Sequence, residues 1–435
     1  MMDETRRRFL RNALLGPFGL KALATGLPVS FFVAGFPRGR ALASEPAPPQ
    51  FLILSNNDDG DPINANAPGT YGVAGVVHNP APSMAETSIN LGNVATSAAA
   101  PWATLPQSVL DRTCLIHHRT YQNIHPQHNK VMGLVGSAKT ETGTGNEHLA
   151  TVLAHETADK LGTVQRDPVA VGGGRLTSGG RTLQTIEPRT LSHMFSPLDD
   201  EGLALAQLRD TALDEIHERL RESSTPAQRT FIERYATSRE QVKAIDESLL
   251  DRFASINGNG PSDQISAAIG LIEMRISPVI GIGLSFGGDN HADGGLEDER
   301  DGTVSGMADL VDLFAELEAT GLSDQVTFAS FNVFGRTLKK KGLNGRDHNL
   351  NHHVMMISGP NVTPGVFGGI APSGNDFGAT AIDSVSGLGM EGGDIPEDET
   401  LESAAKTLGQ LVGMDAERTD FRIDGGKVIE AAVTG

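Results

Sequence analysis

The 435-residue chain reads as an α/β protein: a doubly wound, mostly parallel sheet with helices on both faces and a helical pair inserted in it. Three observations predict this. Short, continuously apolar runs at 51–55, 113–117, 278–285 and 325–331 have the length of strands buried on both faces. A strand, a helix and a strand follow in that order over 278–285, 303–320 and 325–331, the pattern of a right-handed parallel crossover. Polar loops containing Asp and His begin where these runs end, which is where doubly wound sheets hold their ligands.

Composition narrows the function. The chain is long enough to bury a large core, and 38% hydrophobic residues are too many for wholesale disorder. A net charge of −19 argues against nucleic acid or an anionic lipid surface as partner. An anionic substrate would need a local positive centre, which a bound metal supplies. The single cysteine, Cys114, excludes an internal disulfide and a cysteine-rich zinc site.

Residues 1–43 are expected to be an export signal outside the fold. Thr5-Arg6-Arg7-Arg8-Phe9-Leu10-Arg11 resembles a twin-arginine signal, a weakly apolar segment follows, and Ala41-Leu42-Ala43 offers small residues for cleavage before Ser44. Gly, Pro and Lys21 interrupt the apolar segment, which argues against a spanning anchor. The expected mature protein is one α/β domain over 44–435, periplasmic or extracellular, with no stable membrane anchor once the signal is removed.

After a proline-rich linker, the strand at 51–55 runs into Asn56-Asn57-Asp58-Asp59-Gly60-Asp61-Pro62-Ile63-Asn64. This is either an acidic ligand loop or a turn built from turn-favouring residues. Residues 65–105, rich in Ala, Asn, Gly, Pro and Ser, read as a long irregular excursion, with Trp102 as packing. The strand at 113–117 leads to a loop holding Thr120, His125 and His128. A helix is predicted over 146–161. Its His148 and His155, seven residues apart, would stand about 10 Å apart along the axis, too far to share an ion, and are read as structural or exposed. Gly172, Gly173 and Gly174 lack the spacing of a phosphate loop and imply no nucleotide. Residues 199–256 read as a helical cap or insertion, with Pro226 starting its second helix. Leu203, Leu208, Ala212, Ile216 and Leu220 are spaced to bury one face of the first.

A helix at 262–275 precedes the strand that delivers Phe286-Gly287-Gly288-Asp289-Asn290-His291. Asp289 and His291, two apart, project to one side of an extended chain and can both reach one metal ion; the alternative is a polar turn. The acidic run of Asp293, Glu297, Asp298, Glu299 and Asp301 reads as a solvated loop, with Asp293 a possible partner behind a ligand.

The stretch 328–359 is the one around which the chain is organised. Two apolar runs, 326–331 and 354–357, enclose a loop with Arg336, Asp347, His348, His352 and His353. A carboxylate and an imidazole side by side at a strand mouth supply the oxygen and neutral nitrogen that a divalent metal takes. His352 and His353 face opposite ways on a strand, so one of them can ligate. Residues 359–398 read as a loop rimming the pocket, 401–413 as a helix and 421–429 as a short hairpin.

The sequences FGRT (334–337), DH (347–348) and NHH (351–353) resemble an exported bacterial family, domain-of-unknown-function family 1501, itself similar to the alkaline phosphatase and sulfatase superfamily. Asp61-Pro62-Ile63-Asn64 is similar to that family's D-G-L-N, and Asp289-Asn290-His291 to its D-T-H. The resemblance implies an alkaline phosphatase-like fold and one or two divalent ions (zinc, manganese or calcium). The implied ligands are Asp61, Asp289, His291, Asp347, His348 and, of the histidine pair, His353. Asp58 and Asp59 compete with Asp61. Where the family has roughly N-R-S-H-F, this chain keeps His125 as a candidate catalytic residue but places Ile124 at the Ser position, leaving Thr120 as a substitute hydroxyl. Cys114 is followed by Leu-Ile-His, not the sulfatase C-x-P-x-R, which excludes a formylglycine sulfatase. Arg336 is a candidate catalytic residue that would grip an anion, or else half of a structural ion pair.

The resemblance and the clusters together imply an exported metal-dependent hydrolase of a phosphate or sulfate ester, acting on a small anionic ester or an extracellular polymer. The alternative is a non-catalytic binding or assembly protein that retains the fold, with or without a structural metal. The D-x-H and D-H pairs favour the first and Ile124 favours the second. A structural surface protein without metal would require every acidic/His cluster to be coincidental.

Overall fold

The computed structural model describes residues 50–161, 165–173, 175–195, 200–243 and 247–434, so the expected export signal at 1–43 lies outside the described residues. The central sheet has seven strands: β1 (Phe51–Asn57), β2 (Thr113–His118), β3 (Val169–Ala170), β4 (Val279–Ile282), β5 (Val326–Asn332), β6 (His353–Ser358) and β7 (Gly365–Phe367). Their order is β7-β2-β6-β5-β1-β4-β3. β1 runs parallel to β4 on one side and β5 on the other. β6 pairs antiparallel with both β2 and β5, and the remaining pairings are parallel.

The apolar runs are continuous because the sheet is covered twice. Phe51 and Ile53 of β1 share a buried cluster with Ile265 and Ile269 of α4 (Pro261–Glu273) and with Leu310 and Leu313 of α5 (Glu297–Ala319). Leu52 and Leu54, pointing the other way, share a second cluster with Val152 and Leu153 of α1 (Leu149–Thr157) and with Leu401 and Leu408 of α6 (Thr400–Leu411). Each such side chain contributes roughly 1.5–3 kcal/mol by leaving water. The doubly wound α/β class is therefore the observed one.

β4 and β5 do not pair with each other as neighbours would; β1 lies between them. The consequence for the loops is the one expected. The parallel strands β1, β2, β4 and β5 all end at one edge of the sheet, where the antiparallel β6 begins. The loops after those four strands therefore meet there.

Three expectations change. The inserted helices exist as α2 (Asp200–Ser223) and α3 (Pro226–Lys243), but Leu208, Ile216 and Leu220 are 60%, 46% and 47% exposed. No described side chain of either helix joins the two large cores, so the periodic stripe is not a buried face. The expected hairpin at 421–429 is replaced by helix α7 (Ala416–Arg422), started by Asp415, whose Oδ1 accepts the Glu417 and Arg418 N–H groups at 2.9 and 3.2 Å. The segments read as irregular contain hairpins, Glu86–Leu91 with Val94–Ala99 and Ile370–Ser373 with Asp376–Ala379, and residues 365–367 add β7 to the main sheet. Among the described residues no helix is long and apolar enough to cross a membrane.

Candidate metal centre

Four side chains from three loops converge at the carboxyl edge of the sheet. His125 follows β2, Asp289 and His291 follow β4, and His348 lies between β5 and β6. One ligand atom of each lies within 4.8 Å of all the others, so the group could hold a metal ion.

The hydrogen bonds fix how the rings face. His125 Nδ1 is 3.0 Å from the Asp58 carbonyl oxygen, His291 Nδ1 is 3.0 Å from Asp347 Oδ1, and His348 Nδ1 contacts the Asn123 carbonyl oxygen. An oxygen accepts, so each Nδ1 carries the hydrogen and each Nε2 presents a lone pair. The Nε2 atoms of His291 and His348 are 2.9 Å apart. Asp289 completes the group, with Oδ2 3.6 Å from His125 Nε2 and Oδ1 3.4 Å from His291 Nε2. Imidazoles held through Nδ1 with Nε2 turned inward are the arrangement that orients histidine toward a metal.

The electrostatics favour the ligating forms. Partial burial pushes the Asp289 carboxyl up, but Arg336, His291 and His125 together hold it below its usual range. Burial lowers the His348 pKa, and the neighbouring Arg336 and histidines lower it further, against the Asn123 carbonyl, which favours the neutral ring.

The other predicted residues are placed as follows. Arg336 is fully buried. Its Nη1 donates to Asp289 Oδ1 at 3.1 Å, and its Nη2 donates to the Asp59 carbonyl and, at 3.4 Å, to that of Gly288. Its donors thus hold a carboxylate and two loops. Asp347 stands behind His291, with Oδ2 2.6 Å from Lys341 Nζ. Asp61 lies outside the group. Its Oδ1 accepts the Ile63 N–H at 2.9 Å, capping a short helical turn, and its Oδ2 accepts from Asn332 at 2.6 Å. Burial raises its pKa to about 7. His353 also lies outside the group: it is buried with Nδ1 3.2 Å from His118 Nε2, while His352 pairs with His117 at 2.9 Å. The pair does face opposite ways, and each ring goes to a different buried partner. Asp293 instead accepts the Glu299 N–H, in the first turn of α5, at 3.0 Å.

Sequence reading missed one interaction. Glu299, assigned to a solvated loop, is fully buried against Arg346, which donates to both its carboxylate oxygens. Arg346 Nη1 and Nη2 also donate to the Thr337 and Val77 carbonyls at 3.0 and 2.7 Å. Beside this pair the two ligand-bearing loops touch backbone to backbone: Gly345 N–H donates to the His291 carbonyl at 3.0 Å and Arg346 N–H to that of Asn290 at 3.3 Å. A Cβ at Gly345 would lie 1.8 Å from the Asn290 oxygen, so only glycine fits. Nothing in the charge pattern distinguishes Glu299 from its exposed neighbours.

No protein-family model and no curated protein matches the chain. Among solved structures it is similar to the lipoteichoic acid synthase LtaP from Listeria monocytogenes, at 9% identity and a TM-score of 0.35, over 88% of this chain and 76% of that one. It is also similar to Ps i-CgsB in complex with k-i-k-neocarrahexaose, at 10% identity and a TM-score of 0.34, over 87% of this chain and 75% of that one. Likeness at this level assigns no residue and no activity.

Proposed function

We propose that the protein is an exported, metal-dependent hydrolase of phosphate or sulfate esters. The observation that carries this reading is the convergence of three inward Nε2 atoms and the Asp289 carboxylate at the open edge of the sheet. The motifs resembling family 1501 and the alkaline phosphatase and sulfatase superfamily support the ester class.

Three imidazoles and one carboxylate suit zinc, and then manganese, better than calcium, which takes six to eight oxygens. A divalent ion held by His125, Asp289, His291 and His348 would polarise an ester oxygen and acidify a bound water. The chain's own residues prepare that chemistry. Asp347 and the Asp58 and Asn123 carbonyls orient the rings, and Arg336 holds Asp289 in its ionised form. His125, by its inward Nε2, belongs with the ligands, and Arg336 acts through Asp289.

No hydroxyl nucleophile is supplied from the loop after β2. Ile124 is 53% exposed, and the Thr120 hydroxyl is buried and donates to the Gln122 carbonyl at 3.2 Å. An attacking water fits these residues. The same observation favours the second reading, a non-catalytic binding or assembly protein that keeps the centre.

Elemental analysis of the mature protein, purified without chelator, beside an Asp289→Ala/His291→Ala variant, tests the centre, and a panel of phosphate and sulfate esters tests turnover. The expected result is stoichiometric metal absent from the variant, with hydrolysis by the wild type. Metal without turnover of any ester selects the binding reading. Failure to bind or take up metal overturns the hydrolase.

A further inference from the structure

One apolar side chain touches the centre from inside the protein. Phe334, just beyond β5, is fully buried in the cluster that includes Phe331 and Val333. Its ring stacks on His348, with 4.1 Å between centroids and 28° between planes. It meets His125 edge to face at 5.2 Å and 70°. The Arg336 guanidinium, which holds Asp289, lies 5.2 Å from the centroid of the same ring. Two candidate ligands and the arginine that anchors a third thus pack against one phenyl group.

These contacts fall on the rings whose hydrogen-bond partners are uncharged. His125 and His348 are each held from behind by a carbonyl oxygen, of Asp58 and of Asn123, whereas His291 is held by the Asp347 carboxylate. A hydrogen bond to a charged partner is roughly twice as strong as one between neutral groups. A bond at Nδ1 fixes one edge of an imidazole and leaves the tilt of its plane to packing. An aromatic neighbour sets that tilt, because ring pairs have preferred stacked and edge-to-face arrangements. Phe334 does so without a lone pair or a polar hydrogen, so it competes for neither Nδ1 nor Nε2.

The phenyl ring is itself fixed. A Cβ at Gly60 would lie 2.2 Å from Phe334 Cε2, and Gly60 has a φ of +74°, so the loop after β1 closes on the ring as only glycine allows. The Asp61 N–H of that loop donates to the Phe334 carbonyl at 3.3 Å. The same loop supplies the Asp58 carbonyl behind His125. The loops after β1, β2 and β5 are thereby tied together at one side chain.

We propose that Phe334 is a positioning residue of the metal centre: it holds the imidazole planes of His125 and His348 at the angles from which both Nε2 atoms reach one ion. This statement rests on the reading of His125, Asp289, His291 and His348 as a metal site. The tolerance is narrow, since ligating groups must be kept within about 0.5 Å and 10–20° of the productive geometry.

Two variants, Phe334→Leu and Phe334→Met, keep most of the apolar volume and remove the flat face. Phe328→Leu is the matched control: it takes from β5 a fully buried ring that packs edge-on against Phe314. Competitive chelator titration with zinc measures affinity on the folded proteins. The visible absorption of the cobalt-substituted proteins reports ligand geometry, and denaturant unfolding reports stability. Both Phe334 variants should bind zinc about tenfold more weakly, as when a residue that orients a ligand is lost, and should show a changed cobalt spectrum. Phe328→Leu should lose comparable stability and keep the affinity and spectrum of the wild type. An unchanged affinity or an unchanged spectrum in both Phe334 variants, or an equal loss of affinity in Phe328→Leu, overturns the positioning role and leaves the centre standing. No metal bound by the wild type overturns the centre, and the positioning role with it.

Discussion

His291 and His348 face each other through their Nε2 atoms at 2.9 Å, each ring pinned from behind by an oxygen on Nδ1. Two lone pairs at that separation are unfavourable unless a cation or a proton lies between them. The sequence distance between the residues is 57, and only the meeting of the loops after β4 and β5 closes it.

The oxygen behind His291 is Asp347, and removing its charge should weaken metal binding while leaving the ligands intact. Asp347→Asn is expected to lower metal affinity about 10–100-fold, the usual cost of losing a carboxylate behind a ligating histidine. Competitive chelator titration measures it, and an unchanged affinity would show that Asp347 does not orient His291.

Asp61 separates a structural from a ligating carboxylate. Both its oxygens are engaged by Ile63 and Asn332, so Asp61→Asn should retain full metal content. Its folded pKa of about 7 stands above the ordinary aspartate value of 3.8, so the folded state holds a proton that the unfolded state releases. Stability from this group is complete below about pH 4 and is lost as pH rises toward 7. Denaturant unfolding across that window should show a flatter pH dependence for Asp61→Asn than for wild type. A fall in metal content would return Asp61 to the ligands.

The buried pairs His117–His352 and His118–His353 predict the opposite slope. Burial lowers His117 and His118 to about 4 from 6.5, and pushes His352 and His353 well down. Their contribution is present above pH 6.5 and is lost as pH falls toward 4, because the unfolded rings bind protons first. His117→Gln should reduce this acid loss, read as the difference between variant and wild-type unfolding curves from pH 7 to 4. Identical curves would mean that the rings are already charged in the folded protein.

Glu299→Gln leaves Arg346 buried beside a neutral amide. Breaking a buried pair of this kind costs about 3–5 kcal/mol. The variant should unfold at markedly lower denaturant, and the Arg346→Met/Glu299→Leu double variant should recover much of the loss. Equal destabilisation of single and double variants would show that hydrogen bonding to the loops, and not the unpaired charge, dominates.

The sequence by itself determined the central strands of the sheet, though not β7, and the residue types at its edge. Runs such as Phe51–Leu54 have the length and flanking turn residues of strands buried on both faces, and parallel strands joined by helices must deliver their following loops to one side. That was enough to single out Asp289, His291 and His348 for one region. It determined the helical pair but not its burial: a periodic stripe at Leu208, Ile216 and Leu220 reads the same whether a core covers it or solvent does. Only the tertiary structure decided which carboxylates face the centre. Asp58, Asp61, Asp293 and Asp347 are alike as residues, and what separates them is where each carboxylate finds its hydrogen-bond donor. Asp61 finds the Ile63 amide, Asp293 the start of α5, Asp58 the Arg175 guanidinium and Asp347 the ring of His291. Those donors come from residues up to 117 positions away for the Arg175 pair, and no local pattern carries that information.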